Sequence, residues 1–149
     1  MLLPEPDQTI LCRRDEIISA LKRFVPAGAV IDDDTTMAAY DSDGLSAYRN
    51  QPLVVVLPET TQQVAAVMKW CRDNDVKIVP RGAGTSLSGG AIPLADGVLL
   101  GLGKFNQILD IDFGNRTVTA QPGVTNLGIT QAVQDEGFYY APDPSSQIA

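Results

Sequence analysis

The first clear pattern in the chain is a strand, a helix and a second strand in succession. The continuous apolar run from Leu53 to Leu57 lies between two prolines and is typical of a buried strand in a parallel sheet. After Thr60, which with Gln63 forms a capping-box pattern, apolar residues recur on one helical face at Val64, Val67, Met68 and Cys71. Residues 76–79 predict the next strand. We therefore expect a right-handed βαβ unit whose two strands form a parallel pair.

Weaker patterns predict the remaining elements. Pro4 and Pro6 disfavour helix in residues 1–10, and a first helix is expected from Asp15 to Val25. We also expect, in chain order, a further helical turn at 35–40, a short strand at 98–100, a hairpin at 108–112 and 117–121, and a helix at 125–136. The last nine residues, rich in Pro and Ser, contain no closing element. We expect the chain to be part of a larger protein.

The amino-acid composition excludes or disfavours several classes of function. The chain of 149 residues has no His, which excludes Ser-His-Asp and Cys-His catalysis and most zinc sites. Its net charge of −7 disfavours binding to nucleic acid. No apolar run reaches the roughly 20 residues of a membrane span, and no signal peptide is visible. Cys12 and Cys71 are expected to be packing residues in a reduced, cytoplasmic protein.

The candidate chemistry lies in a glycine-rich loop that follows the second predicted strand. Glycines here allow backbone amides to turn toward an anion, the hydroxyl groups add donors, and Arg81 can pair with a phosphate. The loop therefore predicts a cradle for a diphosphate, formed by Pro80, Arg81, Gly82, Ala83, Gly84, Thr85 and Ser86, with Leu87, Ser88, Gly89 and Gly90 completing the loop.

The same residues exclude one other type of phosphate-binding loop and disfavour another. A Walker A loop is excluded, because no Lys follows these glycines. A dinucleotide fingerprint fits poorly, since Leu87 occupies the place of its third glycine and the loop follows the second strand. A plain glycine-rich connection stays open as the alternative. For Arg81 the alternative is a solvated or ion-paired side chain.

Five short motifs occur in a fixed order along residues 30–149: Val56-x-Pro58, Thr61-x-x-Val64, Val79-x-x-Gly82-x-Gly84-Thr85-Ser86, Ser88-Gly89-Gly90 and Gln121-Pro122-Gly123-Val124. Together they resemble the FAD-linked oxidases, that is, the flavin-binding domain of the vanillyl-alcohol oxidase and p-cresol methylhydroxylase type. Residues 43–49, 81–85 and 139–149 further resemble the FAD-binding subunits of bacterial glycolate oxidases.

This resemblance implies an α+β fold, the two-lobed PCMH-type FAD-binding domain. The chain would supply its first lobe, the parallel βαβ part, and the start of the second. Residues 1–30 would be a lead-in and helix, and residues 31–149 the N-terminal part of the FAD-binding domain. The cofactor would be FAD, held by the loop from Pro80 to Ser86 and by a second segment that begins at Ser145 and Ser146.

The resemblance also implies an activity and partners. The parent enzyme would oxidise a 2-hydroxy acid, glycolate or D-lactate, to the 2-oxo acid and would work with iron–sulfur and flavin partner subunits of a glycolate oxidase complex, in the cytoplasm or at the cytoplasmic face of the membrane. No residue of this chain is expected to be a catalyst or a metal ligand. Two alternatives remain, a non-catalytic nucleotide-binding module and half of an NAD(P)-dependent dehydrogenase.

Overall fold

The computed structural model of the chain describes residues 3–142. It divides the protein into two compact units, Met1–Leu102 and Gly103–Ala149. Each unit has its own sheet, and the two are described separately below.

The first unit is built on a four-stranded sheet. Its strands are β1 (Val30–Ile31), β2 (Val54–Val56), β3 (Lys77–Arg81) and β4 (Gly97–Gly101), in the spatial order β1-β2-β4-β3. β2, β4 and β3 run parallel, and β1 is antiparallel to β2. The parallel orientation of β2 and β3 confirms the predicted βαβ unit. Their direct pairing was wrong, because β4 lies between them.

Burial explains why β4 takes the central place. All five of its residues are buried, whereas only Val79 of the five residues of β3 is buried. The wholly apolar strand thus has hydrogen-bonded neighbours on both sides, and the strand with exposed positions lies at the margin. This pairing could not be deduced from the order of the elements along the chain.

Five helical segments accompany this sheet: α1 (Gln8–Cys12), α2 (Arg14–Leu21), α3 (Asp34–Met37), the short 3-10 helix Ala38–Tyr40, and α4 (Thr61–Asp73). The first helix therefore ends at Leu21 instead of Val25, and a helix begins at Gln8, inside the segment expected to be a lead-in. That helix forms because the Asp7 carboxylate accepts a hydrogen bond from the Thr9 amide at 2.8 Å, which caps its first turn.

Helix α4 begins as the sequence predicted. The Thr60 hydroxyl accepts from the Gln63 amide at 3.2 Å, while the Gln63 side chain accepts from the Glu59 amide at 2.7 Å. This is a capping box with the return bond moved back by one residue.

The core of the first unit has two parts, because alternate residues of β2 and β4 point to opposite faces of the sheet. On one face, Val54, Val56, Val98 and Leu100 pack with residues of α2 and α4. On the other face, Val55 and Leu99 pack with Met37.

Four side chains test the predicted apolar face of α4 and the expected packing of the cysteines. Cys71 is fully buried, which confirms its packing role, and Trp70 packs against the edge of the same core. Met68 was wrongly placed on the buried face, since it is 51% exposed. Cys12 was also wrongly expected to pack, because it is exposed at the end of the short α1.

The described part of the second unit, residues 103–142, contains an antiparallel hairpin and one α-helix. β5 (Ile108–Asp112) pairs with β6 (Thr117–Ala120), with an irregularity in register between Ile108 and Asp110. α5 (Asn126–Val133) continues into a 3-10 turn, Gln134–Glu136, and the left-handed Gly137 ends it, as the sequence predicted. Thr125 caps α5 by accepting from the Gly128 amide at 3.0 Å.

Parallel strands with helices in one unit and an antiparallel hairpin with a helix in the other make the protein α+β. Within residues 3–142, no helix has both the length and the apolar character needed to cross a membrane.

Candidate functional site

The glycine-rich loop leaves the carboxyl end of β3, where ligand-binding loops of open α/β sheets usually lie. Pro80 and Arg81 are still part of that strand and pair with Leu100 and Gly101 of β4. The other five predicted site residues, from Gly82 to Ser86, form the loop itself. The structure therefore brings all seven together at one edge of the sheet.

The loop presents a run of unused backbone donors. Among the described residues, the amide groups of residues 82–87 donate to no protein acceptor. Most of this stretch is exposed, and a Cβ built on Gly82 would meet nothing within 4 Å. Buried amides without partners are rare in folded proteins, whereas exposed amides such as most of these are completed by water or by a ligand. Six in succession are suited to an anion.

The far half of the loop is closed by its own hydrogen bonds. The Ser86 hydroxyl oxygen accepts from the Ser88 amide at 3.3 Å and from the Gly90 amide at 3.2 Å. The Ile92 amide donates to the Gly89 carbonyl at 3.3 Å. Ser86 thus shapes the loop through its oxygen, and its hydroxyl hydrogen remains a donor.

The side chain of Arg81 contacts other residues of the protein. Its Nη1 donates to the carbonyl of Tyr40 at 3.0 Å, and its guanidinium lies 5.8 Å from the centre of the Tyr40 ring. The same guanidinium crosses above Gly84, since a Cβ on that glycine would come within 2.5 Å of Nη2. The contacts that Arg81 makes within the protein are therefore with Tyr40 and with the loop, and its pairing with phosphate stays a prediction.

Residues 43–45 also contact the loop, and sequence analysis gave them no role. The Gly44 amide donates to the Gly84 carbonyl at 2.8 Å. The buried carboxylate of Asp43 accepts from the Leu45 amide at 2.8 Å and from the Ala91 amide at 3.2 Å. The Asp-Gly pair could have suggested a turn, but nothing in the sequence connects it with residues about 40 positions later.

The second predicted contact segment, Ser145 and Ser146, lies outside the described residues. Asp110 and Asp112 do not form a carboxylate pair for acid–base work. Asp112 accepts hydrogen bonds from the Asn115 amide and side chain at 2.9 and 2.7 Å, which closes the hairpin turn and lowers the pKa of its carboxyl group.

Comparison with known proteins now identifies the family of the chain. Residues 52–149, more than half of the chain, match the model of a family described as an FAD binding domain. The chain belongs to this FAD binding domain family. The matched segment includes the glycine-rich loop, and the cofactor of the domain is FAD.

Two curated relatives are similar to most of the chain. The chain is 49% identical over 147 residues to the glycolate oxidase subunit GlcD of Escherichia coli K12, which covers 99% of this chain and 28% of that protein. It is 34% identical over 135 residues to a D-lactate dehydrogenase of Anaerostipes hadrus, covering 90% of this chain and 28% of the relative. The chain thus spans less than a third of the length of these relatives.

Solved structures agree on the fold. An alkyldihydroxyacetonephosphate synthase superposes with a TM-score of 0.79 at 21% identity, covering 99% of this chain and 28% of the other. A p-cresol methylhydroxylase superposes with a TM-score of 0.69 at 19% identity, covering 91% and 27%. The FAD binding domain of this chain is therefore of the PCMH type, as the sequence motifs predicted.

The loop fits the requirements of FAD on structural grounds. A diphosphate carries negative charge and accepts hydrogen bonds, which matches the run of unpaired amides from Gly82 to Leu87. The open space beside Gly82 allows a ligand to approach the backbone closely.

Proposed function

We propose that this chain is the FAD-binding part of a flavin-dependent 2-hydroxy acid oxidase or dehydrogenase. Its substrate would be glycolate or D-lactate, which is converted to the 2-oxo acid while electrons pass to an acceptor. FAD supplies the redox chemistry by accepting the two electrons removed from the CH–OH group.

The observation that carries this proposal is the run of unpaired amides at the carboxyl end of β3, in a chain of the FAD binding domain family. We assign FAD contacts to the loop from Pro80 to Ser86 and, in the segment outside the described residues, to Ser145 and Ser146. Within the loop, Gly82 to Ser86 offer amides and hydroxyls to the diphosphate. Pro80 and Arg81 end the strand from which the loop leaves.

The substrate class is supported by the names of the relatives, a glycolate oxidase subunit and a D-lactate dehydrogenase. Since GlcD is named a subunit, we also propose partner subunits for this protein, including an iron–sulfur protein and a second flavin protein. A cytoplasmic location, free or at the inner face of the membrane, belongs to the same proposal.

The chain's own contribution is binding and orientation. Asp112 lines a cavity in the second unit, but its carboxylate already accepts two hydrogen bonds from Asn115, and we assign no catalytic residue to the chain. We propose that the FAD-binding domain begins near residue 31 and that residues 1–30 precede it. The pairing of β1 with β2, Val30 opposite Val56, makes β1 the first strand of this domain, and α2, which precedes it, packs on the same sheet.

The test is to purify the complete product of the gene and to record its flavin absorbance and its reduction by substrates. We expect bound FAD, bleaching by glycolate or D-lactate under anaerobic conditions, and dye reduction without added NAD(P). A protein that lacks flavin but reduces NAD(P) with the same acids would support the dehydrogenase alternative. A protein with bound nucleotide and no turnover of either acid would support the non-catalytic alternative.

A further inference from the structure

The segment from Tyr40 to Leu45, called here the clasp, touches the glycine-rich loop at its start, middle and end. At the start, the Tyr40 carbonyl accepts from Arg81 at 3.0 Å. In the middle, the Gly44 amide donates to the Gly84 carbonyl at 2.8 Å. At the end, the Asp43 carboxylate accepts from the Ala91 amide at 3.2 Å. One short segment thus holds the loop at three points.

Asp43 is the most buried polar group of the clasp. Its side chain belongs to a residue that is only 8% exposed, and each carboxylate oxygen accepts from a different backbone amide. One of these amides, Leu45, belongs to the clasp, and the other, Ala91, belongs to the end of the loop. Hydrogen bonds to a buried charge are stronger than neutral ones, so Asp43 fixes the distance between the two segments.

Contacts with the clasp also fix the orientation of the peptide groups of the loop. The Gly84 carbonyl bonds to the Gly44 amide, and a Cβ on Gly44 would lie 2.9 Å from the Thr85 carbonyl oxygen and 2.8 Å from that of Ser86. Three successive carbonyl oxygens therefore face Gly44. The described peptide bonds are all trans, and in a trans peptide the N–H points opposite to the C=O.

It follows that the amides of Thr85, Ser86 and Leu87 point away from the clasp, and these amides are among the unpaired donors of the loop. Without the clasp, rotation of any of these peptide groups would turn a carbonyl dipole toward the anion and repel it. The absence of a side chain on Gly44 is what lets the clasp approach so closely.

We propose that Asp43, Gly44 and Arg81 are positioning residues, which hold the glycine-rich loop with its amides directed at the diphosphate of FAD. This inference rests on the proposed function of the loop. It replaces the expectation that Arg81 pairs with phosphate: Arg81 acts through Tyr40 and through the loop backbone.

The test compares FAD with riboflavin, which carries the same ring system and no diphosphate, on the complete gene product. Asp43→Asn should raise the Kd for FAD about tenfold, as expected for the loss of one hydrogen bond to a charged group. It should leave the Kd for riboflavin unchanged, because the clasp acts only on the diphosphate subsite. Gly44→Ala should weaken FAD binding further. Asp41→Asn is the matched control, since that carboxylate pairs with the exposed Arg49.

Arg81→Gln provides a variant at the less buried end of the loop, should Asp43→Asn not fold. We expect it to raise the Kd for FAD without reducing the salt dependence of binding, because Arg81 neutralises no phosphate. An equal loss of FAD and riboflavin binding in the clasp variants would mean a merely structural role and overturn the inference. So would unchanged FAD binding in Arg81→Gln. A wild-type protein that does not prefer FAD to riboflavin would instead overturn the proposed function of the loop.

Discussion

The guanidinium of Arg81 occupies the space into which a side chain on Gly84 would project. A Cβ built on Gly84 would lie 2.5 Å from Nη2 and 2.6 Å from Nε of Arg81, closer than real Cβ contacts. Gly84 also has a φ of +74°, a conformation that other residues adopt at a cost. The positive φ therefore favours glycine at this position, and a side chain here would also displace the guanidinium of Arg81.

We expect Gly84→Ala to weaken FAD binding by at least tenfold in the complete gene product. The new methyl group must displace Arg81, which frees the start of the loop, and the positive φ adds roughly 1–2 kcal/mol of backbone strain. The measurement is the Kd for FAD from fluorescence quenching, together with the Tm of the protein without cofactor.

Gly28→Ala measures the effect of backbone strain at a positive φ without the displacement of a neighbouring side chain. Gly28 has a similar φ of +80°, but a Cβ there would meet nothing within 4 Å. It should lower the Tm through backbone strain alone, by less than Gly84→Ala does, and leave FAD binding unchanged. If Gly84→Ala folds and retains FAD as tightly as Gly28→Ala does, the loop does not cradle the cofactor.

Local patterns were enough to predict the parallel unit and the helix caps. The run from Leu53 to Leu57 is uninterrupted because β2 is buried on both faces, and Thr60 and Gln63 lie next to the amides that they cap. Such features depend on residues near in sequence. The glycine-rich loop was also visible, because its chemistry is contained in one short stretch.

Contacts between distant segments were not predictable in this way. The place of β4 between β2 and β3 depends on which strand is most apolar relative to the others. The bond of Asp43 to Ala91 joins residues 48 positions apart, and that of Asp96 to Asp7 joins residues 89 apart. An Asp in a polar stretch gives no sign of such a partner, so neither the bond of Asp43 to Ala91 nor that of Arg81 to Tyr40 could be predicted.

Asp96 should contribute strongly to stability at neutral pH. It is 2% exposed, and its Oδ2 accepts from the Asp7 amide at 2.8 Å and pairs with Lys77. Burial alone would raise the pKa of Asp96, but the Lys77 ammonium and the Asp7 amide outweigh it and hold the pKa below its ordinary value. We expect Asp96→Asn to lower the free energy of unfolding by about 1–3 kcal/mol at pH 7.

The direction of this pKa shift fixes the pH dependence. A carboxyl group with a lowered pKa in the folded state stabilises the protein above its unfolded pKa of about 3.9, and loses that effect as the pH falls through the folded pKa. Urea unfolding at several pH values should show that the difference in free energy of unfolding between wild type and Asp96→Asn decreases in acid. Asp73→Asn, which removes an exposed carboxylate, should change little. If this difference in free energy stays constant down to pH 3, the pKa of Asp96 is not lowered by folding as stated.

The two cysteines should differ in reactivity. Burial raises the pKa of the Cys71 thiol to about 11, whereas Cys12 is exposed. Because the thiolate is the reactive form, a disulfide reagent at pH 8 should label one thiol per chain rapidly and the second only in denaturant. Cys12→Ser should abolish the rapid phase, and rapid labelling of that variant would show that α4 opens in the native state.

Expressed alone, the 149-residue chain should bind FAD weakly and oxidise neither glycolate nor D-lactate. Its described site consists of six unpaired amides, and each hydrogen bond contributes only about 1 kcal/mol net in water. Association and loop ordering cost at least ~4 kcal/mol, so little affinity remains from this loop. The chain covers 28% of the length of its Escherichia coli relative, and the flavin ring needs apolar walls to bind tightly.

Equilibrium titration of the purified chain with FAD, followed by dye-reduction assays with both acids, measures this directly. The complete gene product, treated in parallel, provides the comparison and should bind FAD far more tightly than the 149 residues do. The circular dichroism of the short chain must show its helices and strands, because an unfolded chain would also fail to bind. Sub-micromolar binding by a folded 149-residue chain would mean that these residues already enclose the flavin, and the division of the site proposed here would be wrong.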